Sequence, residues 1–525
     1  MTGAVRGDDE APEFIDLPSE AATGALAKWL SGFARADDFI ALSGDLGAGK
    51  TAFARAYLRA VTGDPELEAP SPTFTLIQSY DGPEFPVVHA DFYRLRGADE
   101  LTQLGWDETI EGAVTLVEWP ERAAEALPAD RLEIELTFDS ARGDAFRRAT
   151  LRARGAMAGR FKRARAVEIL LESAGWARAR RTPMYGDASS RAYERLTAAD
   201  GGTAILMVSP PRAGGPTLRF GKTYAEIARL SADIRAFLAV GEGLRGLGYS
   251  TPKIFAHSVE DGLALIEDFG AETVADANGP NAPRYAEATA LLADLHARAL
   301  PSELPVGAEM HTLPVYDIEA MLIEVELALD WYAPAIARGA PSSGARMQFL
   351  GLWREVLTPV LTQPTTWTLR DFHSPNLHWL PERDGLKRLG LIDFQDAVLG
   401  PPAYDVASLL QDARLEVPSD LELRLLAHYA RRRAIRDPRF DPSAFTTAYS
   451  VMGAQRATKI LGIFTRLDRR DGKPQYLRLL PRIERTLAKN LAHPALEPLR
   501  RWFETQLPRA LGPAAASGEG SRADG

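Results

Sequence analysis

Residues 39–51 read Phe39-Ile40-Ala41-Leu42-Ser43-Gly44-Asp45-Leu46-Gly47-Ala48-Gly49-Lys50-Thr51. An apolar run of strand length gives way to a glycine loop, and a helical pattern follows over residues 51–61, which is the context a phosphate-binding loop requires. Its glycines let backbone N–H groups curl around phosphate oxygens, and the helix after them turns its positive dipole end toward the same oxygens. Gly44, Asp45, Leu46, Gly47, Ala48, Gly49, Lys50 and Thr51 are therefore candidate nucleotide contacts. Lys50 would neutralise the β and γ phosphates, and the Thr51 hydroxyl would hold Mg²⁺. Outward from this loop, residues 14–138 alternate short apolar strands with helical patterns, the grammar of an α/β P-loop NTPase domain.

Such a site needs acids at the carboxyl ends of neighbouring strands. Pro86-Val87-Val88-His89-Ala90-Asp91 ends one apolar strand, and Ala113-Val114-Thr115-Leu116-Val117-Glu118 ends another. Asp91 reads as the magnesium-side acid and Glu118 as the group that orients or deprotonates the attacking water, each set against the plainer reading of a strand-end surface acid. His89 either orients Asp91 or is a satisfied core histidine, and Trp119 either stacks on a ligand or packs.

The rest of the chain reads as a second domain. Residues 204–208 and 262–266 look like strands of a small lobe, and from residue 283 the pattern turns helical. Within that helical part, Trp367-Thr368-Leu369-Arg370-Asp371-Phe372-His373-Ser374-Pro375-Asn376 places an asparagine five positions after an aspartate, the spacing of a kinase catalytic loop. The strand Leu389-Gly390-Leu391-Ile392 then runs into Asp393-Phe394-Gln395-Asp396. Phosphoryl transfer needs an aligned hydroxyl and neutralised phosphate charge. Asp371 would accept the hydroxyl proton, and Asn376 and Asp393 would ligate magnesium. The expected architecture is a P-loop domain over 12–150, a basic linker over 151–165, an α+β protein-kinase-like domain over 166–510 and a disordered tail over 511–525.

The 525 residues suffice for two such cores. The absence of cysteine excludes disulfides, thiolate metal sites and cysteine nucleophiles, so the chemistry falls to carboxylates, hydroxyls, lysines and bound cations. A formal charge of -10 argues against general affinity for nucleic acid, and no stretch has the roughly 18 uninterrupted apolar residues of a membrane span. A cytoplasmic location is expected. Arg142, Arg147, Arg148, Arg152, Arg154, Arg160, Lys162, Arg163 and Arg165 form a basic stretch that reads first as a solvated surface and second as an RNA-facing patch.

Four strings make the first domain resemble TsaE, the ATPase subunit of the bacterial system that makes threonylcarbamoyladenosine in tRNA. They are the phosphate loop, Pro70-Ser71-Pro72-Thr73-Phe74-Thr75-Leu76, His89-Ala90-Asp91-Phe92-Tyr93-Arg94-Leu95 and Val117-Glu118-Trp119-Pro120-Glu121-Arg122. The resemblance implies that the Ser-Pro-Thr-Phe segment is a nucleotide-responsive switch, with Thr73 and Thr75 as sensors. It also implies partners of the TsaD and TsaB kind, with any contact to tRNA indirect. The second domain resembles the aminoglycoside phosphotransferase superfamily through the 369–376 and 392–396 strings and Gly400-Pro401-Pro402-Ala403-Tyr404-Asp405-Val406-Ala407. That likeness implies a bracing role for Asp405 and a hinge at Leu265-Ile266-Glu267-Asp268-Phe269-Gly270, so Glu267 is a candidate nucleotide contact. Ser189-Ser190-Arg191 and residues 206–211 are most similar to the anomeric kinases of N-acetylmuramate and N-acetylglucosamine, which implies a sugar as phosphate acceptor. The usual strand lysine is replaced near Met207 by apolar residues, leaving Arg191 or Lys222 as its candidate substitute. Its loss keeps a regulatory pseudokinase reading open, and a kinase of another hydroxylated molecule such as an aminoglycoside is a further alternative.

Overall fold

The computed structural model describes residues 12–184, 191–212, 215–336 and 339–512. The chain divides into two compact units after Ile169.

The first unit is built on a seven-stranded sheet: β1 (Glu13–Leu17), β2 (Phe39–Ser43), β3 (Ile77–Tyr80), β4 (Val87–Asp91), β5 (Val114–Glu118), β6 (Arg131–Phe138) and β7 (Arg147–Arg154), in the order β1-β7-β6-β2-β5-β4-β3. Strands β6, β2, β5 and β4 run parallel. The edges, β3 on one side and β7 with β1 on the other, are antiparallel. The central strands are buried on both faces, as their unbroken apolar runs require. Helices α1 (Glu20–Ser31) and α2 (Lys50–Thr62) cover one face, with Leu26, Leu30, Phe53, Tyr57 and Leu58 in the core.

The expected basic linker over 151–165 is not a linker. Its first residues finish β7, where Ala149, Leu151 and Ala153 face the core at alternate positions, and the next belong to the helix Ala156–Ser173, whose Met157 and Phe161 join the same core. Small apolar residues among many arginines hid this two-residue period. The arginines between the buried positions are largely ion-paired: Arg148 with Asp16 at 2.8 Å, Arg154 with Glu133 at 3.0 Å, Arg165 with Glu13 at 2.5 Å and Arg160 with Asp38. Paired within their own unit, they fit the solvated-surface reading better than an RNA-facing one.

The second unit opens with a five-stranded antiparallel sheet: the strands Ile254–Ser258 and Leu263–Glu267, then β10 (Thr203–Val208), β9 (Ala192–Thr197) and β8 (Arg180–Met184). Helical structure follows, including Ile318–Leu327, Ala403–Leu410 and the 30-residue Pro442–Asp471. Two short pairs, Leu377–Trp379 with Leu389–Leu391 and Thr366–Thr368 with Val398–Gly400, frame the 369–376 loop. No helix among the described residues is long and apolar enough to cross a membrane. Ser189, Ser190 and the tail over 513–525 lie outside the described residues.

Candidate functional sites

In the first unit the phosphate loop leaves β2 with Gly44, Gly47 and Gly49 all at positive φ. Gly44 is the position a side chain cannot share: a Cβ there would stand 2.2 Å from the Leu136 carbonyl oxygen. Gly49 caps α2 with no side chain on the free N–H groups, which leaves them open to an anion. Lys50 folds back over the loop, donating to the carbonyls of Gly44 at 2.6 Å and Asp45 at 3.0 Å, with its ammonium 3.6 Å from the centre of the Trp119 ring. Burial lowers its pKa against the opposing pull of Glu118, Glu121 and Asp91. These donors fit the phosphates of a nucleotide.

Asp91 and Glu118 are register partners at the ends of β4 and β5, and both are buried. Their contacts differ. Glu118 accepts from the Thr51 hydroxyl at 3.0 Å and lies 3.0 Å from His89 Nε2. Asp91 accepts from Thr73 at 2.9 Å, from Ser71 and from the Tyr93 N–H at 2.9 Å. His89 is thus tied to Glu118 and not to Asp91. Trp119 packs on Tyr93, 5.1 Å between ring centres, as well as beneath Lys50. Thr75 makes no side-chain bond with these acids.

In the second unit the loop 369–376 is held from below. Asp405, fully buried on the helix Ala403–Leu410, accepts the N–H groups of Leu369 at 2.6 Å and Arg370 at 2.8 Å, and Ser408 donates to the Arg370 carbonyl at 3.1 Å. Arg370 sits at φ 67°, a left-handed conformation that costs a non-glycine residue about 1–2 kcal/mol. Its guanidinium is fixed by Glu324 and by the Ala228 carbonyl at 3.0 Å. Glu324 in turn accepts from Lys459 at 2.8 Å, from Gln455 at 3.1 Å and from Tyr316. The loop therefore presents Asp371 from a braced backbone.

Asn376 donates to the Asp371 carbonyl at 2.9 Å and lies 3.4 Å from Asp393 Oδ2, so the three predicted residues converge. Burial and then the Asp371 charge raise the pKa of Asp393, and Gln395 (2.6 Å) and Arg191 (3.4 Å) offset this in part. Burial would raise Asp371 as well, but His373, Lys459, Arg456 and Arg370 together hold it below its ordinary value. Two carboxylates pushed in opposite directions, with an amide between them, suit a divalent cation beside a proton acceptor. Arg191 reaches this group, also donating to Ser231 at 3.1 Å, whereas Lys222 is exposed on the short strand Lys222–Thr223. Glu267 pairs its carboxylate with Arg383 and gives its N–H to the Lys253 carbonyl at 2.8 Å, so a nucleotide contact there would fall to its carbonyl, in a segment that lines a pocket with Asp268, Phe269, Gly270 and Trp379.

Residues 17–148 match the family model for threonylcarbamoyl adenosine biosynthesis protein TsaE, and residues 181–441 match that of the phosphotransferase enzyme family. Over 359 residues, 66% of this chain and 97% of its relative, the sequence is 35% identical to the N-acetylmuramate/N-acetylglucosamine kinase of Caulobacter vibrioides. Over 120 residues, 23% of this chain and 83% of the relative, it is 38% identical to the tRNA threonylcarbamoyladenosine biosynthesis protein TsaE of Rickettsia bellii. The chain belongs to both families. It is a TsaE unit fused to a phosphotransferase unit of the sugar-kinase kind; the Pseudomonas aeruginosa kinase of the same name is 31% identical over 59% of this chain and 83% of its own length.

The sequence reading missed the phosphotransferase unit's buried partners, Glu324, Lys459 and Arg456. They come from helices remote in sequence from the catalytic loop, and no local spacing announces them. The TsaE unit's Glu118–Thr51 contact was also missed. Its one available signal was that a threonine ending a phosphate loop needs an acid on an adjacent strand.

Proposed function

We propose that the chain carries two separate ATP-dependent activities. The TsaE unit hydrolyses Mg-ATP in support of threonylcarbamoyladenosine formation by partners of the TsaD and TsaB kind. The phosphotransferase unit phosphorylates the anomeric hydroxyl of N-acetylmuramate or N-acetylglucosamine. The observation that carries the second reading is the convergence of Asp371, Asn376 and Asp393 on a loop clamped by Asp405.

In the TsaE unit the contacts support the reverse of the sequence assignment. Glu118, joined to Thr51, is placed for the magnesium side, and Asp91, joined to Ser71 and Thr73, for holding the switch segment. Thr51 and Glu118 would together hold the ion. His89 then keeps the carboxylate aimed. The residues at both sites fit magnesium, which would supply neutralisation of phosphate charge.

In the phosphotransferase unit, Asp371 takes the proton of the sugar hydroxyl as its oxygen attacks the γ-phosphorus and the bond to the ADP oxygen breaks. Asp371, which the Lys459, Arg456 and Arg370 charges help to keep ionised while His373 is neutral, is ready to accept. Arg191, beside Asp393, takes the place of the missing strand lysine against phosphate charge. Sugar phosphate formation by the full chain, with Lys50→Ala and Asp371→Ala variants, tests both parts. Product that survives the first substitution and disappears with the second is expected. Wild-type protein that binds ATP and phosphorylates neither sugar would leave the pseudokinase reading in its place.

A further inference from the structure

Ser231 stands where several segments of the phosphotransferase unit meet, shortly before the helix Arg235–Gly246. Its N–H donates to Asp396 Oδ1 at 2.6 Å, its carbonyl accepts from Arg212 Nε at 3.1 Å, and its hydroxyl accepts from Arg191 at 3.1 Å. The residues just before it are tied to the catalytic loop, since the carbonyls of Ala228 and Arg229 accept from the Arg370 guanidinium at 3.0 and 3.3 Å. Arg229, Arg370 and Asp393 all have left-handed backbones, at φ 58°, 67° and 58°. Non-glycine residues stay in that region only where the surrounding contacts over-determine them, and such strain gathers at functional sites. The contacts that place the catalytic loop and the metal-side carboxylate therefore also place the Ser231 hydroxyl.

What that hydroxyl holds is Arg191. The arginine side chain is only 10% exposed, and its two terminal nitrogens divide between Ser231 Oγ at 3.1 Å and Asp393 Oδ1 at 3.4 Å. Gln395 donates to the same Asp393 oxygen at 2.6 Å. A divalent cation on Asp393 would compete with the guanidinium for that carboxylate and repel it. The bond to Ser231 does not depend on Asp393, so it persists when the carboxylate turns to the ion. It also leaves the arginine's charge whole. A carboxylate in the serine's place would cancel the charge that the phosphates are to meet, whereas a hydroxyl fixes the guanidinium as a neutral acceptor. Asp396 anchors the serine from behind, through its N–H.

Resting on the reading of Arg191 as the phosphate-side cation, we propose that Ser231 is a positioning residue for phosphoryl transfer, holding Arg191 toward the phosphates while Asp393 takes the metal. The test measures sugar phosphate formation by the full chain, with ATP and sugar varied in turn. It compares wild type, Ser231→Ala, Ser231→Thr, Arg191→Met and the double variant of Ser231→Ala with Arg191→Met, each checked by thermal melting. Ser231→Ala removes the hydroxyl and keeps the N–H and carbonyl bonds. It is expected to lower kcat/KM for ATP about tenfold and to leave KM for the sugar within about threefold, and Ser231→Thr should restore most of the loss. In the Arg191→Met background the same serine substitution should cost less than about twofold, because the hydroxyl acts through the arginine. Ser231→Cys, nearly isosteric but a poor acceptor, should lose as much as Ser231→Ala and takes its place should that variant fail to fold.

A loss that persists undiminished in the Arg191→Met background, or that falls equally on KM for the sugar, would make Ser231 a structural residue and overturn the proposal. An Arg191→Met variant with unaltered ATP dependence removes the arginine from the phosphate side, and this inference with it. A wild type that phosphorylates neither sugar sinks the kinase reading separately. Mg-ATP binding by the same variants in a Lys50→Ala chain then decides: a Kd weakened about tenfold by Ser231→Ala and restored by Ser231→Thr is expected, and an unaltered Kd overturns the proposal.

Discussion

Asp405→Asn replaces one oxygen of a fully buried carboxylate by an amide group of the same shape. The native oxygens accept the Leu369 and Arg370 N–H groups at 2.6 and 2.8 Å. Asparagine has one oxygen to offer, so its NH₂ must face the other N–H, donor against donor. One charge-assisted bond becomes a neutral one and the other becomes a repulsive contact, which together cost about 3–5 kcal/mol. The strain at Arg370, held at φ 67°, loses its main restraint, and relaxation of that residue would carry Asp371 away from the acceptor. A displacement of about 1 Å costs on the order of 100-fold in kcat. Calorimetry of the full chain should show the phosphotransferase unit melting about 6–10 °C lower, at roughly 2 °C per kcal/mol for a unit of this size. The ATPase rate of the TsaE unit should be unchanged. A variant whose kcat stays within about threefold and whose melting point moves by less than about 1 °C would refute the bracing argument.

Two further outcomes are expected. Burial, and after it the Arg414 charge, lowers the pKa of His373 from 6.5 to about 4, so the folded unit holds the ring neutral while the unfolded chain protonates it. The stabilisation is complete above the unfolded value and is lost as pH falls from 6.5 toward 4, about 1.4 kcal/mol per pH unit and about 3 kcal/mol in all. Denaturant unfolding across that window should show a shallower pH dependence in His373→Gln, and an unaltered slope would count against the neutral buried ring. In the TsaE unit, Glu118→Gln should cut ATP hydrolysis about 100-fold and raise the magnesium requirement, with sugar phosphorylation intact. If Asp91→Asn raises the magnesium requirement and Glu118→Gln does not, the assignment drawn from the Thr51 contact is wrong.

The phosphate loop was legible because its chemistry is local. Three glycines, Lys50 and Thr51 are neighbours in the chain, and the positive φ of the glycines needs no knowledge of the rest of the fold. The same holds for Asp371 and Asn376, five residues apart on one loop, and for the adjoining Asp393. The division of labour between Asp91 and Glu118 was not legible, because it depends on strand order. With β5 beside β2 and β4 one strand further out, Glu118 ends next to Thr51 and Asp91 ends roughly 4.8 Å beyond it. Two apolar strands that each end in an acid look alike in sequence, and only the order of the sheet separates them.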